Sequence, residues 1–262
     1  MKNMVKNYSI SNLYIAMLQT IKNIKKFRKL REDRKRWVEF YQQFIKPGDL
    51  VFDVGANMGT RTKVFLELDA KVVAFEPEKR CSDFLESDLK GEDNFTLIKA
   101  ALGDKEAEAE MLLGDAHALS TLSQHWVKTT QESGRFSQHT WNERQHVRVT
   151  TLDNVIQKFG VPSFIKIDVE GYEFEVLSGL TYPIPCISIE FAVEVIENTY
   201  KCIEYMNSLS NVSFQFSADE SIKFYLPTWV ADKEIKRNLA KISEQNKLAW
   251  GDVYIKNIGG DA

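Results

Sequence analysis

Cysteine is scarce in this chain: three residues in 262, at positions 81, 186 and 202, with no C-x-x-C pair and one thiol left over. That scarcity argues against a disulfide framework and a cysteine zinc site, and it fits a reducing, cytoplasmic setting. No apolar run approaches the roughly eighteen residues that a membrane-spanning helix needs. The first eleven residues are polar and no small-residue cleavage site follows an apolar stretch, so no secretory leader is expected. The four histidines, His117, His125, His139 and His146, match no zinc spacing. No Gly-Lys-Ser/Thr follows a glycine-rich turn, which excludes a P-loop. There is no internal repeat.

What is present is enough apolar material, 44% of 262 residues, to bury the core of one domain with an appendage. The formal charge of −3 hides an asymmetry. Residues 1–49 carry twelve Lys/Arg against four Asp/Glu, leaving 22 basic and 33 acidic residues for 50–262. The cations cluster from Lys22 to Arg36, among apolar residues at helical spacing (Leu13, Met17, Ile21, Ile24, then Trp37, Phe40, Phe44). Residues 1–46 are therefore expected to form a basic amphipathic helical extension, ended by Pro47-Gly48, ahead of a domain over 47–262. Such a helix packs against an acidic domain or a second copy of the chain, or lies on an anionic membrane surface. No RNA-module signature accompanies it, so no nucleic acid partner is expected.

From Leu50 onward short apolar runs alternate with helical stretches, the pattern of a largely parallel α/β sheet. Strands are expected at 50–54, 71–75, 95–99, 163–168, 186–191, 212–216 and 251–256. Helices are expected near 60–69, 78–90, 172–180, 194–209 and 230–246, with a short one after Leu152-Asp153. Extended segments are read at 106–113, 146–151 and 222–226. The stretch 114–145 reads as irregular and polar, a lid or acceptor-binding loop holding histidines and Trp126 and Trp141.

The sharpest signal is Asp53-Val-Gly-Ala-Asn-Met-Gly59 directly after the strand Leu50-Val51-Phe52. A strand that turns at once into a helix beside a ligand needs glycines, which Gly55 and Gly59 supply. Twenty-three residues after Asp53, Glu76 closes the strand Lys71–Phe75, where an acid accepts hydrogen bonds from both hydroxyls of a ribose. The dinucleotide fingerprint G-x-G-x-x-G is missing a glycine here, and Asp53 would repel a pyrophosphate. An acidic turn instead suits a cation such as S-adenosylmethionine, with its sulfonium and α-ammonium groups. Asp53 as a plain turn residue and Gly59 as a packing glycine are the alternatives.

A second strand, Phe164–Ile167, delivers Asp168 and Glu170 to the same sheet edge, followed by Gly171 and Glu173. These acids are candidates for a general base toward a hydroxyl, for a hard-cation ligand, or for an acceptor of the cofactor ammonium. Glu173 also suits the first turn of the next helix. Glu190 ends a further strand, but two or three carboxylates do not by themselves define a metal site, and none is assigned. His117, beside Ser120-Thr-Leu122, is a candidate base or oxyanion partner.

Phe52-Asp-Val-Gly-Ala-Asn-Met-Gly59, Glu76-Pro77, Ala101-Leu-Gly-Asp104, Ser120-Thr-Leu122, Thr151-Leu-Asp153 and Lys166-Ile-Asp-Val-Glu-Gly171 together resemble the successive motifs of the FkbM family of S-adenosylmethionine-dependent methyltransferases. The resemblance covers about 50–195. It implies a class I methyltransferase (Rossmann-like) fold, a seven-stranded sheet with helices on both faces and its last strand antiparallel. It implies O-methylation of a hydroxyl on a sugar, glycan or secondary metabolite. Asp53, Gly55 and Asn57 would line the methionine part of the cofactor with Gly59 in the same loop, and Glu76 and Pro77 the ribose. Ala101, Leu102 and Asp104 would line the adenine, and Asp168 and Glu170 would sit beside the transferring methyl. Met58 and Thr60-Arg61 depart from the more usual Ile and aromatic, and 1–46 and 114–145 fall outside the resemblance. The rival readings are an NAD-type oxidoreductase, which needs the missing glycine, and a non-catalytic Rossmann-like binding module, which needs an acid-poor crevice.

Overall fold

Runs that are apolar on both faces become interior strands, because helices cover a parallel sheet on each side. The computed structural model describes residues 32–219 and 221–259. Its strands, numbered along the chain, are β1 Leu50–Val54, β2 Lys71–Phe75, β3 Phe95–Ile98, β4 Ala101–Leu102, β5 Ala107–Leu113, β6 Glu143–Thr150, β7 Phe164–Ile167, β8 Cys186–Ala192, β9 Val212–Ala218 and β10 Trp250–Asn257. The helices are α1 over 32–41, α2 Thr60–Glu67, α3 Lys79–Asp88, α4 Gln124–Glu132, α5 Leu152–Phe159, α6 Glu173–Ser178, α7 Ile196–Leu209 and α8 Asp232–Gln245.

Seven strands form the main sheet in the order β3-β2-β1-β7-β8-β10-β9, and β10 runs antiparallel to both of its neighbours. This is the class I methyltransferase arrangement. The chain leaves β1 toward β2 and β3, then returns to β7 on the other side of β1. That reversal opens a crevice at the carboxyl ends of β1 and β7, where α/β sheets take their ligands. In register, Asp53 lies beside Lys166 and Ala74, so Gly55, Glu76 and Asp168 emerge at the same edge.

Alternation along the strands divides the core between two faces. Phe52, Val54, Ile165, Ile167, Ile187 and Ile189 pack under α5 to α8. On the opposite face Val51, Val72, Phe164 and Tyr254 meet α1 and α2 through Trp37, Phe40, Tyr41, Ile45 and Phe65. The expected division at residue 47 thus runs through packed aromatics, with Tyr41 and Phe164 rings 5.6 Å apart and Phe40 and Tyr254 rings 5.4 Å apart. The basic run from Lys22 to Arg36, and any membrane-surface contact through it, falls largely outside the described residues. No helix among the described residues is long and apolar enough to cross a membrane.

A second sheet, ordered β4-β6-β5, stands beside the main one. Residues 222–226, read as extended, form no strand, though the Tyr225 N–H donates to the Phe216 carbonyl of β9 at 2.8 Å. Ile222 and Phe224 cover the α1 side, with Phe224 5.4 Å from Phe40 and 5.3 Å from Tyr254 between ring centres, while Tyr225 stacks on Phe216 and Leu226 joins the opposite core.

Candidate functional site

β1 ends at Val54 and the chain reaches α2 within five residues, a turn that forces left-handed backbone at Gly55 (φ 80°), Asn57 (φ 52°) and Gly59 (φ 76°). A Cβ added at Gly55 would lie 1.9 Å from the Asp168 carbonyl oxygen, so the two loops touch backbone to backbone. At Gly59 it would lie 2.6 Å from Leu85 of α3. Gly59 therefore serves the packing of α2 on α3 and does not line the cleft.

Gly55, Asn57, Glu76, Pro77, Ala101 and Leu102 line one continuous cleft at the sheet edge. His117, Asp168 and Glu170 line the same cleft. Glu76 is held by backbone: its two carboxyl oxygens accept from the N–H of Asn57 at 2.7 Å and of Glu78 at 2.8 Å. Burial outweighs those bonds and pushes its pKa up to about 7. Asp104 lies outside the lining, with its half-exposed carboxylate 3.9 Å from Lys105.

Asp53 departs most from expectation. Its carboxyl is 2% exposed, accepts from Thr62 Oγ1 at 2.5 Å and does not line the cleft. The reason is strand alternation: Phe52 and Val54 face one side and Val51 and Asp53 the other, toward α1 and α2. Burial pushes its pKa up to about 6. An acid held more protonated in the folded state contributes stability that is fully present below its unfolded pKa near 4 and lost as pH rises through 6. Asp53→Asn keeps an acceptor for Thr62, so its advantage over the wild type in urea unfolding is expected to grow between pH 4 and 6.5 by roughly 2 kcal/mol. Parallel curves across that range would remove Asp53 as the cause.

Past β7, Glu170 (φ 56°) and Gly171 (φ 86°) bend the chain back into the cleft. Thr121 Oγ1 donates to the Glu170 carbonyl at 2.8 Å. Glu173, buried in the first turn of α6, accepts from the N–H of Gly171 at 3.0 Å and of Val169 at 3.3 Å. It shapes the loop and does not line the cleft. Carboxyl oxygens of Asp168, Glu170 and Glu190 lie within 4.8 Å of one another. Burial, with neighbouring acids adding to it, pushes Glu170 and Glu190 well above the ordinary carboxylate range.

The stretch 114–145 is in part regular, carrying α4 and the start of β6. Ser123 caps α4 by accepting from the N–H of Trp126 at 3.1 Å. Trp126 packs against Gly171, where an added Cβ would lie 2.5 Å away, and Trp141 Nε1 donates to the Leu119 carbonyl at 2.7 Å. Arg135 clamps the far end to Glu194 through two bonds of 2.6 and 2.8 Å. His117 reaches across to the glycine-rich loop: its Nδ1 lies 2.6 Å from Asn57 Oδ1. A carbonyl oxygen only accepts, so Nδ1 donates and Nε2 is the acceptor of the neutral ring. His125, His139 and His146 stand apart from the cleft, His139 paired with Asp115 at 2.7 Å.

Sequence reading passed over Lys166 and Tyr172. Tyr172 also lines the cleft, and Lys166 lies 2% exposed beneath it. An ammonium in the middle of the apolar strand Phe164–Ile167 was itself the available signal, because a buried charge needs a partner.

A family model of the methyltransferase FkbM domain matches residues 53–216. The chain belongs to the FkbM methyltransferase family. Hexuronic acid methyltransferase AglP of Haloferax volcanii is 26% identical over 172 residues, which span 63% of this chain and 63% of that relative. The chain thus covers just under two thirds of that relative. 2-O-methyltransferase NoeI of Sinorhizobium fredii is 24% identical over 185 residues, 67% of this chain and 75% of that protein. Among solved structures, precorrin-6y C5,15-methyltransferase of Geobacter metallireducens superposes with a TM-score of 0.45 at 10% identity, over 86% of this chain and 87% of that one. The FkbM match leaves out α1, α8 and β10.

Proposed function

We propose that this FkbM-family chain transfers the methyl group of S-adenosylmethionine to a hydroxyl of a sugar, glycan or secondary metabolite. One observation carries the reading: a single cleft at the switch point of the sheet gathers Glu76 with His117, Asp168 and Glu170. The residues suit that cofactor. Gly55 lets the two loops at the cleft meet backbone to backbone, Glu76 keeps lone pairs for hydroxyl donors, and Leu102, Met111 and Tyr172 offer a surface for a flat ring. Glu78 Oε2 is buried with no hydrogen-bond partner among the described residues, a further acceptor at the cleft wall. The name of one relative, a hexuronic acid methyltransferase, supports a saccharide-like acceptor, and that of the other, a 2-O-methyltransferase, supports transfer to oxygen.

When bound, the cofactor supplies a methyl group already activated by its sulfonium. The chain's own work is to align the acceptor and take its proton. Asp168, or Glu170 with the Nε2 of His117, receives that proton. Burial and the neighbouring Asp168 raise the affinity of Glu170 for protons, the direction that a proton acceptor needs.

Incubation with methyl-labelled S-adenosylmethionine and a panel of hexuronate-containing and neutral saccharides is the test, with label expected on a hydroxyl oxygen. Binding of NADH without binding of S-adenosylmethionine would turn the reading over to an oxidoreductase. Transfer is expected to persist in EDTA, because the buried Lys166 ammonium, 3.2 Å from Asp168 Oδ2, already places a cation beside the acid cluster. A loss restored by Mg²⁺ would instead make Asp168, Glu170 and Glu190 metal ligands.

A further inference from the structure

Lys166 occupies a place that the cleft does not explain. Its side chain is 2% exposed in the centre of the sheet, and Nζ lies 2.9 Å from Asp252 Oδ1 on β10 and 3.2 Å from Asp168 Oδ2. Asp168 faces the cleft with 39% of its side chain exposed, whereas the Asp252 side chain is 11% exposed and does not line it. The ammonium is therefore shared between a working edge and a purely internal anion. Asp252 also lies beyond the family match at 53–216.

We propose that Lys166 is a positioning residue of the methyl-transfer site: drawn between Asp252 and Asp168, its ammonium aims the Asp168 carboxylate and sets the charge that the Asp168–Glu170–Glu190 cluster presents to a cationic cofactor. The inference rests on the cofactor reading above. Three acids with oxygens within 4.8 Å of one another cannot all stay ionised in a partly buried site unless a cation stands among them. Around Lys166 stand Tyr41 of α1, Asp53 of β1, Glu190 of β8 and Asp252 of β10, with Arg61 of α2 and Tyr254 of β10 next beyond them, beside Tyr41. Around the acids stand Glu173 of α6 and Arg135 beyond α4. Lys166 contacts the cluster directly through Asp168, and burial, which works against its charge, is overcome by Asp168 and Asp252.

The two partners should then act with opposite sign. Lys166→Met removes a cation, so the cluster protonates at higher pH and grip on a cationic ligand is lost earlier on acidification. Asp252→Asn removes an anion and leaves the ammonium to Asp168 alone, so the loss moves to lower pH. Calorimetric titration of the full chain with S-adenosylmethionine from pH 5 to 8.5, without acceptor, reads both. The midpoint is expected to rise by about one unit in Lys166→Met, a tenfold change in proton affinity, and to fall in Asp252→Asn. A merely structural Lys166 would weaken binding at every pH without moving the midpoint, and unmoved midpoints or shifts of the same sign overturn the proposal. Should Lys166→Met fail to fold, Asp252→Asn decides alone: a downward shift supports, and none overturns. Wild-type chain that binds no S-adenosylmethionine at any pH refutes the cofactor reading, and this one with it. Binding without methylation of any saccharide refutes only the acceptor.

Discussion

Asp168→Asn is expected to lower kcat for methyl transfer by about 10²–10⁴-fold, the range that a positioned general base supplies. Asparagine keeps an oxygen to accept from Lys166 Nζ, now 3.2 Å away, so the loop should hold its shape. Cofactor affinity should fall by only about tenfold, the size of one charged contact. Single-turnover kinetics separate the two effects. Equal turnover in the variant would move the base to Glu170, and Glu170→Gln would then show the larger loss.

Gly55→Ala is expected to cost more than any other single methyl group in the molecule's cleft. The added carbon must sit 1.9 Å from the Asp168 carbonyl oxygen, a backbone atom that no rotamer change can move. The left-handed backbone at φ 80° adds its own penalty. Together these amount to roughly 2–5 kcal/mol, combining left-handed strain with overpacking. Because the displaced atoms are the β1 loop and the end of β7, both walls of the cleft shift. Calorimetric unfolding should show a Tm lower by many degrees, and S-adenosylmethionine binding should weaken at least about a hundredfold if the chain folds, about 2.7 kcal/mol. A variant with wild-type melting and binding would mean that the two loops do not meet as described.

The main sheet was readable from its runs: Leu50–Val54, Lys71–Phe75 and Phe164–Ile167 are apolar, short and followed by glycine or acid, and each is an interior strand. Glu76 and Asp168 were readable for the same reason, since a residue that closes such a strand must emerge at the ligand edge. α4 was not. It buries only Trp126 and Thr130 among polar neighbours, and its partners, Trp141 and Leu119, come from outside its own period. A helix held by contacts distant in sequence leaves little trace in its own pattern.

Asp53 marks the boundary between the two kinds of information. Its place beside the glycine-rich turn is a matter of sequence, but the direction of its side chain depends on alternation within β1, and that sent it under α2 to Thr62. Sequence alone determined the fold class, the family motifs and the edge of the sheet where chemistry gathers, because the alternation of apolar strands with helices and the turn glycines are local requirements. Tertiary structure alone decided that α1 belongs to the core, that 114–145 walls the cleft with His117, and that Lys166 is shared by Asp168 and Asp252. Lys166 and Asp252 stand 86 positions apart in the chain, and a buried charge finds its partner only when the strands between them are laid side by side.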